Sequence, residues 1–188
     1  AVSGSVLSGI FSNVFKNESI LIEGDEGNIL IKTKKNKIKL KGQSSEDFPT
    51  IPMVEGTSFE IEAKKLMDGI KSVYYSSSVS DIKPEISSVY MYSEGDNLVF
   101  VSTDSFRLAE KKVKIKRMEE VMGVLIPFKN IPEILRVFGE YNDDIKVCFN
   151  KNQISFSSDS VYLTSRVIDG LFPDYRQIIP KEFNTEVV

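Results

Sequence analysis

The hydrophobic pattern of the chain switches between two spacings, and the switches predict where helices and strands lie. Apolar residues recur every three or four positions in three stretches, which is typical of helices with one buried face. Elsewhere apolar and polar residues alternate, which is typical of strands. The predicted helices cover residues 2–15, 63–75 and 131–138, and the predicted strands cover residues 19–23, 28–34, 37–41, 58–61, 86–92, 97–101, 109–116, 123–126, 144–149, 153–157 and 161–167.

The third predicted helix carries a signal at each end. Asn130 and Glu133 have the spacing of a capping box, in which two side chains satisfy free amides of the first turn. Pro132 is tolerated there because those amides have no helical partner. Gly139 follows the last apolar residue and predicts the end of the helix.

The order of the elements repeats along the chain. Residues 2–49 read helix, strand, strand, strand and then Phe-Pro, and residues 126–173 read the same. Residues 58–126 supply a further strand-helix-strands unit, so the chain consists of repeated units. We therefore predict an α+β fold with helices on one side of antiparallel sheets, in which residues 58–175 form one domain of two helices backed by two sheets.

Composition removes several kinds of site. The chain has no histidine, which excludes histidine bases, Ser-His-Asp triads and histidine metal ligands. The single Cys148 excludes an internal disulfide and a cysteine-rich metal site, and its place in a strand predicts a packing role. With no glycine-rich phosphate loop and no acidic cluster at metal-ligand spacing, we expect neither a metal nor a cofactor.

Net charge and hydropathy limit which kinds of partner the chain can have. The net charge is −3, so any contact with nucleic acid has to use a local basic patch. The apolar content of 41% is enough for a core, and no run of 18 apolar residues predicts a membrane span. The chain starts without methionine or a signal-peptide pattern and stops in a β-rich run, so we expect a piece of a longer protein.

The turn at residues 102–109, between two predicted strands, joins a hydroxyl, a carboxylate, an aromatic ring and an arginine. One interpretation is a hairpin corner, in which Asp104 caps backbone amides and Arg107 makes a local ion pair. The other is a binding site. A second stretch, at residues 169–180, favours the site.

These two stretches, TDSFRLA and DGLFPDYRQIIP, together resemble the bacterial DNA sliding clamp family, the β subunit of DNA polymerase III. The resemblance implies the DNA clamp fold, with helices on the inner face of antiparallel sheets. It also implies that residues 1–55 are the second half of a first clamp domain, residues 56–175 a complete second domain and residues 176–188 the start of a third.

The same resemblance implies a function. Family clamps are homodimeric rings that encircle duplex DNA without reading its sequence and tether the polymerase to it. The chain would then be a non-catalytic processivity factor in the bacterial cytoplasm, associated with the nucleoid during replication. Its partners would be DNA, the polymerase III catalytic subunit, the clamp loader and other proteins with clamp-binding motifs, and it would use no cofactor.

The resemblance further implies a peptide-binding pocket. Ser105 stands where the family usually has glycine and Phe106 where it often has histidine, so the pocket rim should be bulkier and more apolar. Packing at a domain junction is the alternative role for the same positions. The pocket-lining positions are Ile86, Thr103, Ser105, Phe106, Arg107, Leu108, Pro173 and Ile178.

Cations on the two later helices are candidates for contact with DNA. Lys64 and Lys71 are seven residues apart and so share a helical face, as do Lys129 and Arg136 if one helix covers both. An ordinary solvated face has the same spacing, and Asp68 interrupts the first pair. The first helix has no cation before Lys16, so we do not assign it to DNA.

Two other functions stay open. A peptide-binding scaffold of the same fold would have no DNA role, and a basic stripe across both helices would argue against it. An enzyme that handles phosphoryl groups could use Asp104, Arg107 and Asp174, although the expected phosphate loop is absent from the sequence.

Overall fold

The structure, a computed structural model, describes residues 1–13, 19–44, 46, 48–80, 82–115 and 123–182. The described residues fall into two compact units, divided after Ile51. The first contains α1 (Gly4–Ser12), β1 (Leu21–Asp25), β2 (Asn28–Lys32) and β3 (Lys37–Leu40). The second contains β4 (Thr57–Glu62), α2 (Ala63–Lys71), β5 (Ser88–Glu94), β6 (Asn97–Thr103), β7 (Leu108–Lys114), β8 (Gly123–Pro127), α3 (Ile131–Phe138), β9 (Asp144–Phe149), β10 (Gln153–Ser157) and β11 (Tyr162–Arg166).

The first unit is a helix followed by a three-stranded antiparallel sheet in the order β1-β2-β3. The first turn is Glu26 and Gly27, and the second joins Lys32 to Lys37. Only Ile31 is buried among its described residues, and α1 has no buried residue. The last predicted helical positions, residues 14–15, lie outside the described residues.

The second unit has two four-stranded sheets, in the orders β11-β10-β9-β4 and β7-β6-β5-β8, and every pairing in them is antiparallel. Helices α2 and α3 contact each other and contribute to the same core. The α+β architecture predicted from the repeat is therefore confirmed. The largest fully buried side chains of this unit are Phe100, Phe138, Phe156, Leu66, Ile70, Met91, Leu98, Ile126, Ile131 and Ile134.

The second helix is shorter than predicted. It ends at Lys71, and a separate 3₁₀ turn follows at Tyr74–Ser76. The Ser72 hydroxyl donates to the Asp68 carbonyl oxygen at 2.7 Å, which satisfies one of the last free carbonyls of the helix. The buried stripe still extends to Val73, because the 3₁₀ turn keeps this side chain on the core.

The capping box predicted for α3 was wrong. Asn130 has right-handed helical dihedrals and caps no amide, since it belongs to a 3₁₀ turn, Phe128–Asn130, that precedes the helix. Its side-chain amide instead donates to Ser165 Oγ on β11 at 2.7 Å, and Glu133 pairs with Arg136. The helix does end at Gly139 as predicted, but with φ −63°, so glycine is not needed there for a left-handed turn.

No helix in the described part of the chain is long and apolar enough to cross a membrane.

Candidate functional site

The sheet β7-β6-β5-β8 carries apolar side chains on both faces. Along β6, Leu98 and Phe100 enter the main core, whereas Val99 and Val101 belong to a second cluster. Because side chains of a strand alternate between faces, this second cluster covers the opposite face, which we call the outer face. Its members are Tyr92, Val99, Val101 and Tyr175, with Tyr90, Leu108 and Phe172 packed against them.

The corner loop, residues 104–107, joins β6 to β7 at one end of the sheet. Thr103 Oγ1 donates to the Arg107 carbonyl oxygen at 2.8 Å and accepts the Ser105 amide at 3.1 Å. Asp104 Oδ1 accepts the Phe106 and Arg107 amides, each at 3.0 Å, and its Oδ2 accepts Arg107 Nε at 2.9 Å. The predicted hairpin corner, with Asp104 as the cap and Arg107 as its ion-pair partner, is confirmed.

At Ser105 the corner loop has a backbone conformation that glycine adopts more readily than serine. Ser105 has φ 76°, in the left-handed region where a side chain is strained and glycine is favoured. The amides that bond Asp104, first that of Arg107 and then that of Phe106, hold the pKa of its carboxyl below the usual range. The ionised carboxylate therefore supports a loop whose backbone is strained at one residue.

The outer face is covered in part by a segment that we call the strap, residues 171–178. Two of its side chains enter the protein: Tyr175 is 4% exposed and Phe172 is half-buried. Phe172 stacks on Tyr90, with ring centroids 5.0 Å apart, and meets Tyr175 edge-on at 6.2 Å. Tyr90 in turn stacks on Tyr92 at 5.0 Å, so an aromatic layer joins the strap to β5.

Polar groups link the strap to the sheet at the edge of this layer. The Tyr175 hydroxyl bonds Tyr92 at 2.8 Å and Glu110, and Arg176 donates to the Tyr92 hydroxyl at 2.9 Å. Burial, followed by the bond to Glu110, raises the pKa of Tyr175 far above the usual value. The phenol is therefore neutral and can donate throughout the ordinary pH range.

The same edge carries a small ion network. Arg176 pairs with Glu94, which also accepts Lys112 Nζ at 3.0 Å. The hydrogen bonds from Lys112 and then Arg176 lower the pKa of Glu94. The guanidinium of Arg176 also lies 5.9 Å from the centre of the Tyr92 ring. These contacts are solvent-exposed, so they orient the strap more than they stabilise it.

The predicted pocket positions lie in three places: at the corner loop, in the strap and, for Ile86, just before β5. Thr103 and Leu108 are directly paired across β6 and β7, beside the corner loop. Ile86 is buried just before β5 but belongs to neither hydrophobic cluster. Phe106 is 98% exposed, and Ser105, Arg107 and Pro173 are also exposed. Ile178, at the end of the strap, is 62% exposed.

Sequence reasoning missed the aromatic layer that joins the strap to β5. Tyr90 and Tyr92 alternate with core residues of β5, which could have indicated a covered outer face. Phe172 and Tyr175 lie three residues apart in the stretch 169–180, which was singled out because it resembles a clamp motif and not because it could pack on a sheet. Nothing in the alternation alone says which segment covers a sheet.

All four candidate DNA-facing cations are exposed, on or next to helices α2 and α3. Lys64 and Lys71 are exposed on α2, which confirms that they share its solvent face. Lys129 lies in the 3₁₀ turn before α3, so the condition that one helix covers both Lys129 and Arg136 is not met. Arg136 makes two hydrogen bonds to Glu133, one of them 2.9 Å long, and these bonds lower the pKa of that carboxyl.

In the part of the chain that the structure describes, no group of three or more histidine, cysteine or acidic side chains could hold a metal ion.

Comparisons with known proteins identify what this arrangement is similar to. Residues 60–174 match the family model described as DNA polymerase III beta subunit, central domain. The beta sliding clamp of Streptococcus pneumoniae is 30% identical over 167 residues, which cover 88% of this chain and 44% of that protein. The beta sliding clamp of Synechococcus elongatus is 26% identical over 187 residues, which cover 97% and 50% of the two chains.

A solved structure shows the same fold. The DnaN sliding clamp of Bartonella birtlesii, bound to griselimycin, superposes with a TM-score of 0.88 at 27% identity, over 96% of this chain and 50% of that one. The chain thus spans about half the length of the relatives it matches.

Proposed function

Because the chain belongs to the DNA polymerase III beta subunit family of sliding clamps, we propose that it acts in replication as part of a processivity factor that encircles duplex DNA and tethers the polymerase. It performs no chemistry of its own. Residues 1–55 are the second half of one clamp domain, residues 56–175 a complete domain and residues 176–188 the start of the next. In the whole protein these domains form a homodimeric ring in the bacterial cytoplasm.

The paired helices of the second unit support the DNA role. Helices α2 and α3 lie against each other over a shared core, so their solvent faces form one side of the domain. Lys64 and Lys71 have no hydrogen-bond or ion-pair partner among the described residues, so their charges are available to phosphates. Such contacts to the backbone carry no sequence information and allow a clamp to slide.

Neutralising these two lysines tests the DNA role. Lys64→Gln with Lys71→Gln should reduce the slope of log affinity against log salt by about 0.9 for each lysine that meets a phosphate. Fluorescence anisotropy of a labelled duplex at low salt measures the slope. The control is Lys111→Gln with Lys114→Gln, the same charge change on the exposed edge strand β7. An equal loss of slope in the control would leave only a diffuse charge effect.

The outer face supports the second part of the proposal, a groove for the clamp-binding motifs of polymerases, the clamp loader and repair proteins. Leu108 of β7 packs against the same hydrophobic cluster as the strap residue Phe172, and that cluster contains Tyr175. Pro173 and Ile178 of the strap are exposed, and polar groups of the corner loop follow at the end of β6. A few apolar anchors with polar groups at the rim are typical of peptide grooves. The packing of Leu108 and the strap residues Phe172 and Tyr175 in one hydrophobic cluster is the observation that carries the proposal.

A peptide titration tests the groove directly. A fluorescent peptide with a Gln-x-x-Leu-Phe motif should bind this chain with a Kd on the order of 100 μM or weaker, because family clamps complete the groove from their third domain. Leu108→Ala should weaken binding by about 1–3 kcal/mol, since a half-buried apolar wall that a bound peptide would cover is lost. Lys39→Ala, in the first unit, is the control. If Leu108→Ala binds as tightly as Lys39→Ala, the groove is not at the outer face.

A further inference from the structure

The hydroxyl of Tyr175 is the most enclosed polar group of the strap. It bonds the carboxylate of Glu110 on β7 and the hydroxyl of Tyr92 on β5, and the Arg176 guanidinium lies beside it. Glu110 lies opposite Val101, and Tyr92 lies opposite Val99, so one phenol joins two strands that flank β6. No buried side-chain nitrogen or oxygen is left without a partner in the described residues.

The chemistry of the neighbours fixes the direction of these hydrogen bonds. A carboxylate only accepts, so Tyr175 donates its single proton to Glu110. A guanidinium only donates, so Arg176 donates to the Tyr92 oxygen. The bond between the two phenols must then run from Tyr92 to Tyr175. The result is one ordered chain of donors, from Arg176 through Tyr92 and Tyr175 to Glu110, in which each bond strengthens the next.

The backbone of Tyr175 holds both groove residues of the strap. Its amide donates to the Pro173 carbonyl oxygen at 2.7 Å, and its own carbonyl accepts the Ile178 amide at 3.0 Å. Both Pro173 and Ile178 are exposed, so their positions depend on what fixes the residues between them. A third local bond, from the Gln177 side-chain amide to Asp174 Oδ2 at 2.7 Å, keeps the turn compact.

We propose that Tyr175 is a positioning residue for the peptide groove: its hydroxyl, fixed by Tyr92 and Glu110, holds Pro173 and Ile178 in the place where a peptide meets them. Tyr175 itself touches no peptide. It acts by removing the freedom of the strap before the peptide arrives, which lowers the entropy lost on binding. This inference rests on the proposed groove at the outer face.

The test compares two tyrosines that lose the same atom. Tyr175→Phe keeps the ring in the aromatic layer and removes the hydroxyl, and we expect it to weaken binding of the Gln-x-x-Leu-Phe peptide about fivefold, the effect of one lost hydrogen bond. The matched control is Tyr162→Phe. The Tyr162 hydroxyl donates to the Pro52 carbonyl oxygen at 3.1 Å and accepts the Val54 amide at 2.9 Å, away from the strap. This control should bind peptide within about twofold of the unchanged chain.

A double variant tests whether the two hydroxyls act through one donor chain, and amide exchange tests whether the strap is loosened. Tyr92→Phe breaks the same donor chain one bond earlier, so Tyr92→Phe with Tyr175→Phe should weaken binding about as much as either alone, whereas independent effects would multiply. Exchange of the Ile178 amide with deuterium should also quicken in Tyr175→Phe and stay unchanged in Tyr162→Phe.

The outcomes separate this proposal from the groove itself. If Leu108→Ala weakens binding and Tyr175→Phe does not, the positioning role is overturned and the groove stands. If neither variant changes binding, the groove at the outer face is wrong, and the positioning role falls with it. If Tyr162→Phe weakens binding as much as Tyr175→Phe, loss of stability explains both and the positioning role is overturned.

Discussion

Helix α1 with strands β1–β3 and helix α3 with strands β9–β11 follow the same order, yet they bury very different amounts of apolar surface. In the first set Ile31 is flanked across the sheet by Ile22 and Ile38, and in the second Phe156 is flanked by Val147 and Leu163. Ile22 is 55% exposed, whereas Val147 is fully buried. Helix α1 has no buried residue, whereas α3 buries three.

The difference lies in the neighbours of each set. Strand β9 pairs with β4, and α3 packs against α2, so the later set is closed by a second half-domain. Among the described residues, β1 pairs only with β2. Similar hydrophobic patterns thus predict the same order of helix and strands in both sets. How far the apolar side chains are buried depends on whether another strand or helix covers them. A helix on three strands buries too little apolar surface to be very stable alone.

The largest test of this comparison is a pair of truncations, one in the core and one at an exposed strand position. Phe156→Ala removes a fully buried ring and should lower the free energy of unfolding of the second unit by about 3–5 kcal/mol, through lost burial and a residual cavity. Ile22 is the exposed residue at the position that corresponds to Val147, so Ile22→Ala should change the free energy of unfolding by less than about 0.5 kcal/mol. Urea unfolding followed by circular dichroism measures both.

A loss above about 1 kcal/mol in Ile22→Ala would mean that Ile22 is covered in solution, by a second copy of the chain for example. The comparison between the two sets would then fail. Repeating the measurement over a range of protein concentrations distinguishes self-association from burial within one chain.

The sequence alone predicts an element well where its contacts are between residues close together in the sequence, and poorly where they are between distant residues. Strands β9 and β10 have the predicted bounds, because polar and apolar residues alternate along most of both strands. The turn between them is held locally, since Asn150 Oδ1 accepts the Asn152 and Gln153 amides. The capping box failed because the Asn130 side chain bonds Ser165, a partner distant in sequence. Local patterns therefore predict elements, and they fail where a side chain finds a long-range partner.

The candidate site shows the same limit. Asp104 as cap and Arg107 as its partner are contacts within four residues and follow from residue chemistry. The layer of Tyr90, Phe172 and Tyr175 depends on a strap that returns to the sheet from far along the chain. No spacing in the sequence encodes that return.

A smaller effect compares one strained turn from each unit. Glu26 has φ 47° between β1 and β2, and Ser105 has φ 76° between β6 and β7; they are the positive-φ residues other than glycine in the described chain. Ser105→Gly should stabilise the second unit by about 0.5–1 kcal/mol, because relief of strain exceeds the entropy of the added glycine. Glu26→Gly should stabilise less, since φ 47° is closer to the left-handed minimum.

Thermal unfolding of both glycine variants checks this prediction. A lower midpoint for Ser105→Gly would mean that its side chain makes a stabilising contact that outweighs the strain. Ser105→Ala is the control for the lost hydroxyl, because alanine keeps the strained Cβ and should not be more stable than serine.

The smallest effect compares one carboxylate from each unit, Asp25 and Asp104, whose pKa values are both lowered for different reasons. The Lys39 ammonium, 2.7 Å away, lowers the pKa of Asp25 through a hydrogen bond and its charge, whereas backbone amides dominate for Asp104. Since each folded-state pKa is depressed, each group stabilises the fold at pH values above its unfolded pKa, near 3.8, and this contribution disappears as the pH falls through the folded value.

Salt at about 1 M shortens the screening length to about 3 Å and supplies competing ions, so it should remove most of the shift at Asp25. The amides that bond Asp104 are neutral and part of the corner loop, so its shift should persist. An NMR titration of the side-chain carboxyls at low and high salt measures both, and an equal loss of shift would show that Arg107, not the amides, controls Asp104.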